Sequence, residues 1–302
     1  KAAGKMAKLF DLIIKDNPEN FKSGKEKHGL NIFFTRLLFC FFAEDAEIFE
    51  QSLFTRSIKS YTSQNGDDLD DFFGKLFFVL KSNNKKEHPE YLKNFPYVNG
   101  GLFKNDYYIP KFSKASRQII IDSGSLDWNS INPDILGSMM QAIVQQGIRQ
   151  EIGMHYTSVK NILKIIKPLF LDELNSELIS CNKDPKKLKK LLKKIYNINI
   201  FDPACGSGNF LVISYKELYK IEIEILRQLK ELDKNNWLFA KSGIELSQFY
   251  GIEIDDYAHE TAKLSLWIAQ HQMNNLYEEI LNDKRSFLPL TPSGNIYCKN
   301  AI

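Results

Sequence analysis

The second half of the chain contains a glycine loop whose residue types suit contact with a small ligand. Its sequence is Asp202-Pro203-Ala204-Cys205-Gly206-Ser207-Gly208-Asn209-Phe210. Because Gly206 and Gly208 carry no Cβ, the backbone can turn sharply there and come close to a bound molecule. The loop lacks the third glycine of a dinucleotide fingerprint and the Lys-Ser/Thr pair of a phosphate-binding P-loop. It therefore favours a ligand other than NAD or a nucleoside triphosphate.

An acidic residue further along the chain could complete such a site. Glu253 lies near the end of a second predicted strand, and a carboxylate in that place can accept hydrogen bonds from both hydroxyls of a ribose. Gly243-Ile244-Glu245 repeats the local pattern, and either carboxylate could instead cap the next helix. We prefer Glu253 as the ribose acceptor, because only that copy runs directly into two aspartates and a long amphipathic helix.

The elements that must position these residues alternate between strand and helix. A β-rich run at 198–201 enters the glycine loop, and a long apolar-striped helix follows it. The second strand, at 249–255, precedes another helix at 257–273. Strand, glycine loop and helix form the first unit of a doubly wound parallel sheet, in which ligands bind at the carboxyl ends of the strands. The spacing thus predicts an α/β fold for the second half.

The first half is predicted to be helical. Apolar residues recur at helical spacing from Lys5 to Phe54 and again from Phe72 to Leu80. A further helix is expected from about Asp134, and another from Val159 to Leu178. The apolar stripe of this last helix would consist of Ile162, Ile165, Ile166, Leu169 and Phe170.

Two charged clusters allow a functional and a structural interpretation. The acids Asp67, Asp68, Asp70 and Asp71 could bind a metal, but a solvated helix start is preferred because the glycine and closing glutamate of a calcium loop are missing. The segment from Lys183 to Lys194 holds seven lysines and could face DNA. Its leucines recur at helical spacing, so we prefer an amphipathic helix whose lysines face water.

Two further segments match known catalytic motifs only in part. Cys205 could be the nucleophile of a cytosine methyltransferase, but that nucleophile follows a proline in a different motif, so a small loop-filling side chain is preferred. His259-Glu260 begins like a zinc protease motif, yet Lys263 stands where the second histidine is needed. We therefore predict no metal site.

Composition indicates a folded protein with a substantial core. The 302 residues are 43% hydrophobic and 25% charged, with a net charge of +3, which gives no global basic field. The longest apolar run, at 30–42, is shorter than the roughly 20 residues that cross a bilayer. The four cysteines form no C-x-x-C pair, which favours a reducing, cytoplasmic location. We expect no membrane partner.

Four segments resemble motifs of the gamma class of DNA amino-methyltransferases. The glycine loop is similar to their first S-adenosylmethionine motif, Tyr250–Asp255 to their second, and Gly153–Ser158 to the motif that precedes the first. Lys299–Ile302 resembles their third motif. The resemblance implies a Rossmann-like methyltransferase domain with S-adenosylmethionine as its cofactor.

The same resemblance implies a role for each matched residue. Tyr156 and Thr157 would border the methionine end of the cofactor, Glu253 would hold its ribose and Asn300 would meet its adenine. The residues that would shape the loop around the cofactor are Asp202, Pro203, Ala204, Cys205, Gly206 and Gly208.

Further segments resemble the MmeI-like restriction-modification proteins. These segments are Phe33–Asp45 (FFTRLLFCFFAED), Tyr97–Phe103 (YVNGGLF) and Pro168–Leu174 (PLFLDEL). In that family one polypeptide joins a nuclease domain, a helical spacer, a methyltransferase and a target-recognition domain. The resemblance implies a helical spacer over 1–148 and the N-terminal, cofactor-binding part of the methyltransferase over 149–302. DNA would be the partner, and a site-specific adenine methyltransferase coupled to an endonuclease would be the activity.

The catalytic motif of this class is absent from the sequence. The family aligns the target amino group with Asn/Asp-Pro-Pro-Phe/Tyr, and no such tetrapeptide occurs here. We expect it to follow Ile302, so the chain would be a central part of a longer protein, would bind the cofactor weakly and would methylate nothing alone. Two alternatives stay open: a non-catalytic scaffold that senses adenosylmethionine, and a methyltransferase that acts on RNA or protein.

Overall fold

A computed structural model describes residues 2–19, 24–98, 101–128, 157–232, 243–283, 290 and 294–302. Within these ranges the chain forms a helical region followed by a helix-flanked parallel sheet, as the sequence predicts. The expected boundary near residue 148 and the expected helix from Asp134 lie outside the described residues, so both stay predictions.

Among the described residues, five α-helices form the helical region around an aromatic core. They are α1 (Ala2–Asp16), α2 (Gly24–Asp45), α3 (Leu53–Tyr61), α4 (Leu69–Lys81) and α5 (Lys114–Ser123), with short 3-10 turns at Lys85–Glu87 and Glu90–Leu92. Helix α2 is the centre of this region, since nearly every residue from Leu30 to Ala43 is buried. Such an all-round apolar helix must be surrounded by other elements.

One charged side chain lies inside this core. The Arg36 guanidinium packs on the rings of Phe77, Phe103 and Tyr107 at 5.1–5.4 Å from their centroids. It donates hydrogen bonds to the carbonyl oxygens of Leu102 at 2.9 Å and Asn105 at 2.6 Å. Burial lowers the pKa of Arg36 to about 10, so the guanidinium stays charged at neutral pH. It ties α2 to the loop that follows α4.

The acidic cluster begins a helix, as predicted. Helix α4 starts at Leu69, and Asp70 and Asp71 lie in its first turn, where carboxylates suit the positive end of the helix dipole. Asp68 accepts the backbone N–H of Ser63 at 2.9 Å. Asp70 pairs with Lys111, and Asp71 pairs with Lys75.

The second region carries the sheet. Its elements are α6 (Val159–Ile166), α7 (Asp172–Ser180), α8 (Pro185–Tyr196), β1 (Ile200–Asp202), α9 (Asn209–Leu232), β2 (Phe249–Glu253), α10 (Asp256–Leu281) and β3 (Asn295–Cys298). The strands are parallel in the order β1-β2-β3, with Asp202 opposite Gly251 and Glu253 opposite Cys298. This arrangement confirms a Rossmann-like α/β fold. The carboxyl ends of all three strands therefore meet at one edge.

The predicted single α-helix from Val159 to Leu178 is interrupted. Residues Lys167–Leu171 form a π-helical turn between α6 and α7. Pro168 explains the widening, since it has no N–H and its ring crowds the preceding helical turn. The predicted apolar stripe is also wrong in part, because Ile165 and Leu169 are 54% and 63% exposed while Ile162 and Ile166 are buried.

The lysine-rich segment is an amphipathic helix, as predicted. Leu188, Leu191 and Ile195 of α8 are fully buried, and the lysines lie on the exposed side. Lys194 pairs with Glu173 and Glu177 of α7 at 2.6 and 2.7 Å. The two helices are thereby joined at the surface.

Two features bear on the environment of the chain. Cys40, Cys181, Cys205 and Cys298 are all free thiols, and only Cys298 is exposed. Among the residues that the structure describes, no helix is both long enough and apolar enough to cross a membrane.

Candidate functional site

The glycine loop and Glu253 lie together at the carboxyl ends of β1 and β2. The loop leaves β1 at Asp202, and the backbone N–H of Cys205 donates to the carbonyl of Ile252 in β2 at 3.0 Å. The backbone N–H of Gly206 then donates to the Glu253 carboxylate at 2.8 Å. Residues separated by about fifty positions in the sequence thus form one hydrogen-bonded unit at the edge where parallel α/β sheets bind ligands.

The two loop glycines adopt backbone conformations that side chains disfavour. Gly206 has φ of 53° and Gly208 has φ of 82°, both in the left-handed region. A Cβ on Gly208 would also lie 3.0 Å from the Cβ of Ala262, so this glycine lets the loop pack directly on α10. A Cβ on Gly206 would meet no heavy atom within 4 Å. Gly208 therefore carries both a conformational and a packing requirement.

A third glycine makes room for Cys205. A Cβ on Gly251 would lie 2.8 Å from the Cys205 sulfur and 3.0 Å from Ile296. Burial, with the nearby carboxylates of Asp202 and Glu253, raises the pKa of the Cys205 thiol to about 12. A thiol that stays protonated at neutral pH is a poor nucleophile. The geometry supports a loop-filling role.

The loop borders a cavity of about 370 Å³. Of the residues that the sequence assigns to the site, those that line the cavity are Thr157, Asp202, Pro203, Ala204, Cys205 and Gly206. Burial raises the pKa of Asp202, and the charge of Glu253 acts in the same direction. Asp202 also accepts the backbone N–H of Ala204 at 3.0 Å, which closes the turn after β1.

The other assigned residues lie apart from the cavity lining. Gly208 and Glu253 support the loop from beside it. Asn300 is exposed two residues beyond β3, and its side-chain oxygen accepts the backbone N–H of Ile302 at 3.1 Å. Tyr156 lies outside the described residues.

Several lining residues were not assigned from the sequence, namely Ile162, Ile165, Phe201, Ser207, Asn209 and Phe210. Asn209 is 6% exposed, and its side-chain oxygen has no hydrogen-bond partner among the described residues. An unsatisfied buried acceptor beside a cavity is a place for a ligand donor. The signal that could have identified Asn209 as a site residue is its place in the glycine segment itself. Phe201 and Ile165 are more than half exposed, which no helical or strand period predicts.

The two similar acidic segments have different surroundings. Glu245 is exposed and forms a capping box at the short 3-10 turn Leu246–Gln248. Each carboxylate oxygen of Glu253 accepts one backbone N–H at 2.8 Å, from Gly206 and from Asp255. Asp255, rather than Glu253, caps α10, with its side chain accepting the N–H of Ala258 at 2.7 Å. Only Glu253 is thus connected to the glycine loop.

A further cluster lies near the end of β3. Ligand atoms of Asp256, His259 and Cys298 are within 4.8 Å of one another, as a metal site would need. However, the His259 nitrogens lie 3.2 Å from the Ile296 carbonyl and 3.0 Å from a Glu260 carboxylate oxygen. Lys263, where a zinc protease motif needs its second histidine, pairs with Glu260 at 3.0 Å. Both ring nitrogens of His259 therefore already face protein oxygens.

Comparisons with known proteins agree with this architecture. The family model for the MmeI helicase spacer domain matches residues 28–103, and the model for the MmeI DNA-methyltransferase domain matches residues 178–302. Together these matches cover most of the chain.

Individual relatives give the same assignment. DNA methyltransferase A of Bacillus subtilis (strain 168) is 51% identical over 304 residues, covering 100% of this chain and 34% of that protein. A putative type II restriction enzyme and methyltransferase of Methanocaldococcus jannaschii is 28% identical, covering 97% of this chain and 29% of that protein.

A solved structure is also similar. It is that of the type IIL restriction-modification enzyme MmeI in complex with DNA, with a TM-score of 0.90, 41% identity, and coverage of 100% of this chain and 40% of that one. The chain thus spans about a third of the curated relatives it matches. It belongs to the MmeI-like family of restriction-modification proteins and comprises helicase-spacer and DNA-methyltransferase regions of that family.

Proposed function

We propose that this chain binds S-adenosylmethionine at the glycine loop, and that a longer protein containing it transfers the methyl group to the exocyclic amino group of adenine in DNA, coupled to an endonuclease. The observation that carries the proposal is the contact between Gly206 N–H and the Glu253 carboxylate at 2.8 Å, beside the 370 Å³ cavity. It joins the two segments that resemble the first and second cofactor motifs.

The chemistry of the residues present fits this cofactor. Each Glu253 oxygen accepts one backbone N–H and keeps a further lone pair, so the carboxylate can still accept from ribose hydroxyls. Asp202 and Glu253 are acids, which suit a ligand that carries a sulfonium and an ammonium group. The unsatisfied Asn209 oxygen offers an acceptor at the cavity wall.

Each predicted site residue then takes a defined task. Tyr156 and Thr157 border the methionine end, Glu253 holds the ribose and Asn300 meets the adenine. The loop that surrounds the cofactor is formed by Asp202, Pro203, Ala204, Cys205, Gly206 and Gly208. When bound, the cofactor supplies an electrophilic methyl group.

The residues of this chain bind and orient the cofactor and leave alignment of the acceptor to other residues. Transfer requires the nitrogen to be held in line with the methyl group. The tetrapeptide that does this in amino-methyltransferases of the gamma class is absent from the 302 residues. We therefore propose that this chain alone methylates nothing.

The proposal that DNA is the substrate is based on the relatives of this chain. MmeI was solved in complex with DNA, and the Bacillus relative is named a DNA methyltransferase. The choice of adenine rests on the resemblance of the glycine loop to the gamma class. The free thiols fit a reducing, cytoplasmic location.

The test is methyl transfer by the longer protein from labelled adenosylmethionine to DNA, followed by digestion and mass spectrometry of the nucleosides. We expect N6-methyladenine, a loss of activity in Glu253→Gln, and near wild-type activity in the matched control Glu245→Gln. Methylated cytosine would overturn the choice of base. Equal activity of Glu253→Gln and wild type would overturn the site.

A further inference from the structure

The two family regions are joined along a pair of parallel helices. At one end His28 of α2 contacts Asp256 of α10, and toward the other end Phe42 of α2 packs edge-on against His271 of α10 at 5.4 Å between ring centroids. The contacts lie 14 residues apart on α2 and 15 apart on α10, so the helices run side by side in the same direction. At 1.5 Å per residue this seam is roughly 20 Å long.

Parallel packing brings the start of α2 to the cofactor edge of the sheet. Helix α10 begins just after β2, so its first turn lies at the carboxyl ends of the strands. His28 and Asn31 of α2 belong to the region that matches the spacer model, and α10 belongs to the region that matches the methyltransferase model. The spacer region thus reaches the edge of the sheet where the glycine loop lies.

The contact at this end is polar and specific. His28 Nδ1 lies 2.7 Å from both carboxylate oxygens of Asp256, and Asn31 Nδ2 donates to one of them at 3.1 Å. The side chains of His28 and Asp256 are about one-third exposed. The ring of Tyr107 packs edge-on against His28 at 5.0 Å, which limits the orientations of the imidazole.

Asp256 is connected to the cofactor loop through its neighbour Asp255 and Glu253. Its neighbour Asp255 donates its backbone N–H to one Glu253 oxygen at 2.8 Å, and the other Glu253 oxygen accepts from Gly206. A displacement of Asp256 therefore moves the residue that orients the Glu253 carboxylate. The path from His28 to Gly206 consists of short hydrogen bonds and one peptide link.

We infer that His28 and Asn31 are positioning residues through which the spacer region and the cofactor site affect each other. The inference rests on the proposed function, since it concerns the binding of adenosylmethionine at the glycine loop. Binding of the cofactor steadies Glu253 and Asp255, and through Asp256 the first turns of α2. Thermodynamic reciprocity requires that loosening the α2 contact weakens cofactor binding by the same factor.

The test combines calorimetry with hydrogen exchange on this chain. We expect His28→Ala/Asn31→Ala to bind adenosylmethionine at least about fivefold more weakly than wild type, the lower end of usual couplings. His28→Gln keeps a donor and is expected to retain affinity. Lys27→Ala is the matched control, since Lys27 is exposed and adjacent to His28. Urea unfolding of each variant establishes that it is folded.

Hydrogen exchange gives a readout that distinguishes coupling from a mere loss of stability in the variants. In the wild type we expect adenosylmethionine to slow amide exchange at 26–31 of α2, and we expect no such slowing in the double variant at saturating cofactor. Absence of any cofactor binding by the wild type would remove the proposed function. The coupling alone would be overturned if the wild type binds the cofactor without any change in amide exchange at α2 and the double variant binds it with equal affinity.

Discussion

Replacing Gly208 by alanine tests whether the loop must pack directly on α10. The φ of 82° places a side chain in the left-handed region, which costs about 1–2 kcal/mol. The new Cβ would also lie 3.0 Å from the Cβ and 3.1 Å from the Cα of Ala262, and such overpacking costs about 1–3 kcal/mol. We expect Gly208→Ala to lower the free energy of unfolding by about 2–5 kcal/mol.

Gly206→Ala is the matched control. Its φ of 53° is also left-handed, but the added Cβ would meet no heavy atom within 4 Å. Only the conformational cost of about 1–2 kcal/mol is then expected. Urea unfolding can be followed by tryptophan fluorescence, since Trp267 is fully buried on the same helix as Ala262. Equal destabilisation by the two substitutions would refute the direct packing of the loop on α10.

Two further predictions concern the helices that support the site. Burial lowers the pKa of His271, so its contribution to stability is complete above the ordinary pKa of about 6.5 and is lost as the pH falls from that value through the lower pKa of the folded protein. The free energy of unfolding, measured from pH 7 to 5, should therefore decline by at most about 1.4 kcal/mol per pH unit because of this group, and the decline should be smaller in His271→Gln. An identical pH profile in wild type and variant would contradict this role of His271. On α8, replacing buried Leu191 by alanine should lower the free energy of unfolding by about 2–5 kcal/mol, and replacing exposed Lys190 by alanine should change it by no more than about 0.5 kcal/mol. The reverse order would show that the lysines face inward.

The features that the sequence predicted well are those with a local pattern. The glycine loop after a short strand, the leucine period of α8 and the acids before α4 each depend on a few neighbouring residues. The carboxyl ends of parallel strands meet at one edge, so the proximity of Glu253 to the loop also followed from the order of the elements. The hydrogen bond from Gly206 of the loop to Glu253 has no local sequence pattern, and only the three-dimensional structure shows it.

The features that sequence reasoning missed depend on tertiary contacts. The sequence predicted one continuous helix through Pro168, whereas the structure shows that the chain widens there into a π-helical turn. The contact of His28 with Asp256 joins residues 228 positions apart and leaves no period to detect. Asn209 gave no indication of its unsatisfied oxygen, because burial of a polar atom depends on what surrounds it.

The central claim is that the glycine loop and Glu253 together hold adenosylmethionine. Calorimetric titration of adenosylmethionine into this chain, wild type and Glu253→Gln, tests it most directly, with Glu245→Gln as the control. Hydrogen bonds to a charged group contribute about 1.5–3 kcal/mol, so we expect affinity to fall by about 10- to 150-fold in Glu253→Gln and to change little in Glu245→Gln. Equal binding by the wild type and Glu253→Gln, or no binding by the wild type, would contradict the claim.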